Sequence, residues 1–123
     1  MQVGILDDPP PAIQRRFISG GMLVQDSDRL TSPRVQWDTV TDTEVDDELW
    51  DDIVFGWEMV RHVKSNAIVL ASDTSLIGVG AGQMSRVDSV EIAIEKAGER
   101  SKGAILASDA FFPFPYSIEA SSD

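Results

Sequence analysis

Apolar positions along this chain fall into two helical stripes separated by short, dense apolar runs. Leu49, Ile53, Trp57 and Val60 recur every three or four residues, with Trp50, Val54 and Val63 widening the stripe. This predicts a helix from about Asp46 to Val63, with Thr43 placed to cap it. Asp46, Asp47 and Glu48 suit the positive end of its dipole, and Arg61, His62 and Lys64 the negative end. A second stripe, Val87, Val90, Ala93, Ile94 and Ala97, begins after Ser85 and stops at Gly98. Ser85 with Asp88 has the spacing of a capping box. Between the stripes, Ala67–Ala71 reads as a strand buried on both faces. Ser72-Asp73-Thr74-Ser75 turns the chain, and Leu76–Gly80 returns as its hairpin partner. Gly103–Ala107 is the last strand. Strands alternating with helices predict an α/β layered sandwich.

The N-terminal third is less regular. Asp7-Asp8-Pro9-Pro10-Pro11 excludes helix and central strand, so residues 1–16 read as a linker or severed segment. Phe17-Ile18 and Met22-Leu23-Val24 flank Gly20-Gly21 and suggest a first strand, ended by Gln25-Asp26-Ser27-Asp28. Residues 26–45 are polar and read as a loop with an extended piece near 35–40. The serine-rich end, residues 119–123, is expected to fray. The intervening 17–118 form one domain, and neither repeats nor low-complexity tracts interrupt it.

Composition narrows the function classes. Twenty-one acidic against ten basic side chains give a net charge of −11, which opposes nonspecific binding to nucleic acid or to acidic membranes. The acidity serves solubility, or adaptation to high salt. With no cysteine, disulfides, thiolate catalysis and a cysteine metal site are all excluded. No apolar run approaches a membrane span, and the first residues lack the basic start of a signal peptide, so the expected location is cytoplasmic.

Candidate chemistry centres on Gly78-Val79-Gly80-Ala81-Gly82-Gln83-Met84-Ser85-Arg86. A glycine turn opening onto a helix start, with a guanidinium beside it, is suited to a phosphate or carboxylate. Arg86 sits where the helix dipole disfavours a cation, and a bound anion would account for it. Asn66, between a helix end and a buried strand, is either a turn residue or an uncharged group orienting a reacting amine or carbonyl. Asp109 follows a buried strand; it either holds the next loop through backbone N–H groups or serves a ligand. His62 is the only histidine, and it and Lys64 are explained by the helix end alone.

Three blocks tie these residues together: His62-Val63-Lys64-Ser65-Asn66-Ala67-Ile68-Val69, Ile77 through Ser89, and Ala107-Ser108-Asp109-Ala110-Phe111-Phe112-Pro113-Phe114-Pro115. With the fainter Ser19–Gln25, they resemble the transformylase domain of the bifunctional AICAR transformylase/IMP cyclohydrolase family. The resemblance implies a cytidine-deaminase-like subdomain and formyl transfer from 10-formyltetrahydrofolate to AICAR, in purine (IMP) biosynthesis. It implies that Asn66 lies at the reacting centre. Arg86, Asn66, Gly82, Gln83, Asp109 and Phe111 would bind the nucleotide, and Val87, Pro113 and Phe114 would border the folate. No metal and no tightly bound cofactor is implied; the folate is a cosubstrate. Family sites lie at a dimer interface, so a homo-oligomer or a complementary chain is expected. The chain lacks the family's Lys-His-x-x-Pro element, and Tyr116 stands where the family usually has an aspartate. The cyclohydrolase domain is also absent. The expectation is therefore part of a formyltransferase that retains nucleotide contacts and is inactive alone. The alternative is a catalytically inert nucleotide-binding or interaction domain derived from that enzyme.

Overall fold

A computed structural model of the chain describes residues 12–28 and 37–111. The chain divides into two compact units, residues 1–31 and 32–123. In the first, β1 (Ile13–Ile18) and β2 (Gly21–Asp26) pair antiparallel, so the expected single strand is a hairpin. Gly20, at φ +80, supplies the left-handed residue its tight turn needs. Strand β1 starts inside the segment read as linker, and Gln14 faces Gln25 across the ladder.

The second unit holds a three-stranded antiparallel sheet with a helix on each face. Its elements are α1 (Trp50–Val60), β3 (Ile68–Ser72), β4 (Ser75–Gly80), α2 (Arg86–Ala97) and β5 (Ile105–Ser108), and the strand order is β4-β3-β5. The α/β class expected from the sequence is what the chain adopts. Central β3 is buried on both faces because it alone has two strand neighbours and two helices against it, whereas β5 at the edge is half-buried. Ile68, Leu70 and Ile77 pack with Val90, Ala93 and Ala97 of α2. On the other face Ala67 and Val69 pack with Val60, beside Val63, Val79 and Ala107.

Helix α1 is shorter than its stripe. A 3-10 turn, Asp47–Leu49, precedes it, and the N-cap residues of the two starts are Asp46 and Leu49, not Thr43, neither with a side-chain cap bond. At the other end the His62 and Val63 N–H groups bond back three residues to Met59 and Val60, tightening the chain out of the helix. Arg61, His62 and Lys64 therefore follow the helix end and do not sit within its last turn. The face against the sheet is centred on Gly56, where a Cβ would meet Ala107 at 3.4 Å and Ala71 at 3.7 Å. Trp57 is 47% exposed and lines a groove of about 750 Å³ with Trp37, Ile53 and residues 104–108.

The β3–β4 turn places Asp73 and Thr74 at φ 51 and 50, the left-handed pair that a two-residue hairpin requires. Neither is glycine, and Asp52 of α1 compensates: its carboxylate accepts the N–H groups of Asp73 (3.1 Å) and Thr74 (2.6 Å).

Gly78 and Gly80 lie in β4, within the stretch 76–80 expected as a strand. A Cβ on Gly78 would lie 2.1 Å from the Ala93 carbonyl oxygen, and one on Gly80 1.9 Å from that of Ser89. Two strand residues rise about 6.6 Å and four helical residues about 6 Å, so alternate glycines match successive turns of α2. Gly80, also read as the start of the glycine turn, is thus with Gly78 the bed on which α2 lies. Only Gly82, at φ +67, has the turn conformation.

Candidate functional site

In an antiparallel sheet the start of the central strand lies beside the ends of both neighbours. The start of β3 therefore brings Asn66 and Ala67 next to Gly80 at the end of β4 and Ser108 at the end of β5. The loop from β4 to α2 closes over this corner. The Gly82 N–H donates to the Lys64 carbonyl at 2.7 Å, and the Asn66 N–H to the Gln83 carbonyl at 3.3 Å. The Ser65–Asn66 peptide is cis. Ser85 takes the extended N-cap conformation and its carbonyl accepts the Ser89 N–H, but its hydroxyl makes no cap bond, so the expected capping box is absent.

Arg86 opens α2 and turns its guanidinium back across the corner. Nη1 donates to Asp109 Oδ1 (2.6 Å), Ser108 Oγ (2.8 Å) and the Ala67 carbonyl (3.4 Å), and Nη2 donates to Asn66 Oδ1 (2.8 Å). The Arg86 side chain is 10% exposed and that of Asp109 18%. Asp109 Oδ1 also accepts the Ala67 N–H at 3.0 Å, and the Asp109 N–H donates to the Ala67 carbonyl at 3.3 Å. Burial would raise the Asp109 carboxyl. Hydrogen bonds from Ser65, Arg86 and Ala67, with the guanidinium charge, outweigh it and hold the carboxyl below its ordinary value. The backbone N–H that Asp109 accepts is that of Ala67 at the start of β3, not one in the loop that follows it, and the same carboxylate oxygen grips Arg86.

The Asn66 carboxamide is engaged at both ends, Oδ1 by Arg86 and Nδ2 by the Gln83 carbonyl at 2.9 Å. Its backbone carbonyl accepts from Ser89 Oγ at 2.8 Å. Ser89 is fully buried, and among the described residues no buried side-chain polar atom lacks a partner. The corner is a completed polar network, which favours rigid presentation of whatever valences remain.

Asn66, Gln83, Arg86 and Asp109 are therefore brought together, with Gly82 tied to the same corner through Lys64. Val87 is half-buried in the first turn of α2, next to Arg86. Phe111 is 81% exposed, and Pro113 and Phe114, like Tyr116, lie outside the described residues. Sequence reasoning missed Ser108 and Ser89. Ser108 stands inside one of the quoted blocks, and Ser89 is a hydroxyl on an otherwise apolar helix stripe, opposite Gly80; both were visible as anomalies. Among the described residues no group of three or more His, Cys, Asp or Glu is arranged to hold a metal.

The corner joins three of the sequence blocks into one network, and comparison with known proteins accounts for them. A family model described as AICARFT/IMPCHase bienzyme matches residues 1–96. The chain belongs to that family. The bifunctional purine biosynthesis protein PurH of Rhodopirellula baltica is 78% identical over 122 residues, covering 99% of this chain and 23% of that protein. The PurH proteins of Nostoc punctiforme (51% identical, 87% of this chain, 21% of the relative) and Desulfitobacterium hafniense (53%, 85% and 20%) are similar too. The chain thus spans about a fifth of the length of the curated relatives it matches.

Proposed function

We propose that this chain supplies the nucleotide side of an AICAR formyl-transfer site, within a cytidine-deaminase-like subdomain. In that reaction the 5-amino nitrogen of AICAR forms a bond to the formyl carbon of 10-formyltetrahydrofolate. The bond from that carbon to the folate nitrogen breaks, the amine proton passes to a base, and the folate nitrogen gains a proton. The amine is a weak nucleophile, so the reaction needs rigid placement of both ligands and donors for the developing oxyanion. Asn66 offers an uncharged donor at a fixed place. Among the described residues Arg86 bonds through Nη1 and one Nη2–H, which leaves its Nε–H and second Nη2–H for an anionic ligand group. Gly82, Gln83 and Phe111 frame the nucleotide, Asp109 stands behind them on Arg86, and Val87, Pro113 and Phe114 border the folate.

The observation that carries this reading is the meeting of Asn66, Arg86 and Asp109, from three separated blocks, at one corner of the sheet. The proton acceptor is not among these groups: the sequence has no Lys-His-x-x-Pro element, and His62 is exposed beyond the end of α1. A base would come from outside these residues. Calorimetric titration of the chain with AICAR tests the reading. Weak binding is expected, reduced about tenfold or more by Arg86→Ala through loss of a charged hydrogen-bond donor. Lys64→Ala should change it little, and mixing with 10-formyltetrahydrofolate should give no turnover. Equal affinity in wild type and Arg86→Ala would refute it.

A further inference from the structure

We infer that Arg86 and Asp109 are positioning residues that set which way the Asn66 carboxamide faces, leaving one Nδ2–H as the donor offered to a ligand. The inference concerns the amide's orientation, and it rests on the proposed function only for the ligand's identity.

A carboxamide turned by half a rotation exchanges an acceptor for two donors at almost no change in shape, so only its partners decide its direction. Here Oδ1 receives Arg86 Nη2 at 2.8 Å, and Nδ2 donates to the Gln83 carbonyl at 2.9 Å. In the reversed orientation the NH₂ group would face a guanidinium donor and Oδ1 would face a carbonyl oxygen, a mismatch at both ends. The selection works only if the guanidinium itself is held. Three acceptors hold Nη1: Asp109 Oδ1, Ser108 Oγ and the Ala67 carbonyl. Asp109 is held in turn by the Ala67 N–H, one residue along from Asn66. The chain of bonds therefore starts and ends on the same short stretch of β3's approach, with Arg86 as the rigid fork between. Arginine suits the task because its planar donors address Asp109 and Asn66 together, which a single ammonium does not.

The backbone of Asn66 is also committed, its N–H to Gln83 and its carbonyl to Ser89. What remains of the carboxamide among the described residues is the second Nδ2–H, a donor for an acceptor such as a carbonyl or carboxamide oxygen, beside the second lone pair of Oδ1.

The test is ¹⁵N relaxation of the Asn66 side-chain amide in the labelled chain, with an AICAR double-mutant cycle beside it. The wild-type amide should show an order parameter near the rigid value of about 0.85, falling below about 0.6 in Asp109→Asn, with backbone amides of β3 and α2 unchanged. Arg86→Lys, which keeps charge but loses the fork, should give the same fall and serves if Asp109→Asn does not fold. An Asn66 amide equally rigid in these variants overturns the inference. In the cycle, Asp109→Asn should weaken AICAR binding about tenfold in the wild-type background and less than twofold on Asn66→Ala, as expected of coupled neighbours. Equal weakening in both backgrounds would mean that Asp109 acts on the ligand directly, which also overturns it. A wild-type chain that binds no AICAR refutes the nucleotide-side reading alone, and the amide order parameter then decides the inference.

Discussion

Replacing Gly80 by alanine is the sharpest perturbation available to this fold, because the added methyl meets backbone and not a movable side chain. The new Cβ would stand 1.9 Å from the Ser89 carbonyl oxygen and 2.6 Å from its carbon, where ordinary contact begins at 3.4 Å. Relief requires α2 to retreat from β4 by about 1.5 Å, a shift that opens gaps around Val90, Ala93 and Ile77. Overpacking typically costs 1–3 kcal/mol, and with backbone on one side of the clash we expect about 3 kcal/mol or more. For a chain of this size that corresponds to a fall in Tm on the order of 10 °C. Thermal unfolding followed by circular dichroism measures it. The informative comparison is Gly82→Ala, whose methyl meets only Lys64 Cδ at 3.7 Å and whose cost is the left-handed conformation, about 1 kcal/mol. If Gly80→Ala melted within about 2 °C of wild type while losing ligand affinity, the helix-packing account would be wrong and a phosphate-turn account right.

Other outcomes follow from the same structure. Asp52→Ala removes both acceptors for the strained Asp73–Thr74 turn and should lower stability by about 1.5 kcal/mol in urea unfolding; an unchanged midpoint contradicts the staple. Asp109, whose carboxyl is held below its ordinary value, contributes stability that is fully present above its unfolded pKa of about 4 and is lost as pH falls through the lowered folded value. Acid unfolding of Asp109→Asn should therefore be less steep below about pH 4 than that of wild type, and parallel curves would refute the linkage. With a net charge of −11, Tm should rise as KCl is added towards 1 M, where screening acts over about 3 Å; a flat or falling midpoint would show that carboxylate repulsion is not limiting.

Much of the α/β layout was legible because its signals are local. The all-apolar stretch around Val69 has no place but the centre of a sheet, and the stripe of Val90, Ala93 and Ala97 has one face to bury. Helix α1 was overextended because Arg61, His62 and Lys64 read as good C-terminal residues, whereas the backbone had already tightened at Met59–Val60. The stripe of large residues also drew attention away from Gly56, the residue that lets α1 approach Ala71 and Ala107. What Gly78 and Gly80 accommodate was not legible for a related reason: a glycine signals that something comes close without saying what. Asn66, Arg86 and Asp109 were each legible as anomalies. Their bonding to one another was not, since Arg86 and Asp109 are 23 residues apart and nothing local in either tells the other's place.

The antiparallel order β4-β3-β5 also sets the sequence of events by which the corner is assembled. The β3–β4 hairpin closes through a two-residue turn, and α2 follows directly on β4, so both form from neighbouring chain. Strand β5 must come back across the whole of α2 before Ser108 and Asp109 can reach Arg86. Until it docks, the guanidinium has lost its carboxylate and Asn66 has lost the brace that gives it direction. The corner is therefore a late product of folding, complete only when the third strand is in place. Because β5 is a four-residue edge strand, its transient release is also the least costly way to take the corner apart while the hairpin stands. In hydrogen exchange the amides of Ala67 and Asp109 should then open together, ahead of those in the β3–β4 ladder.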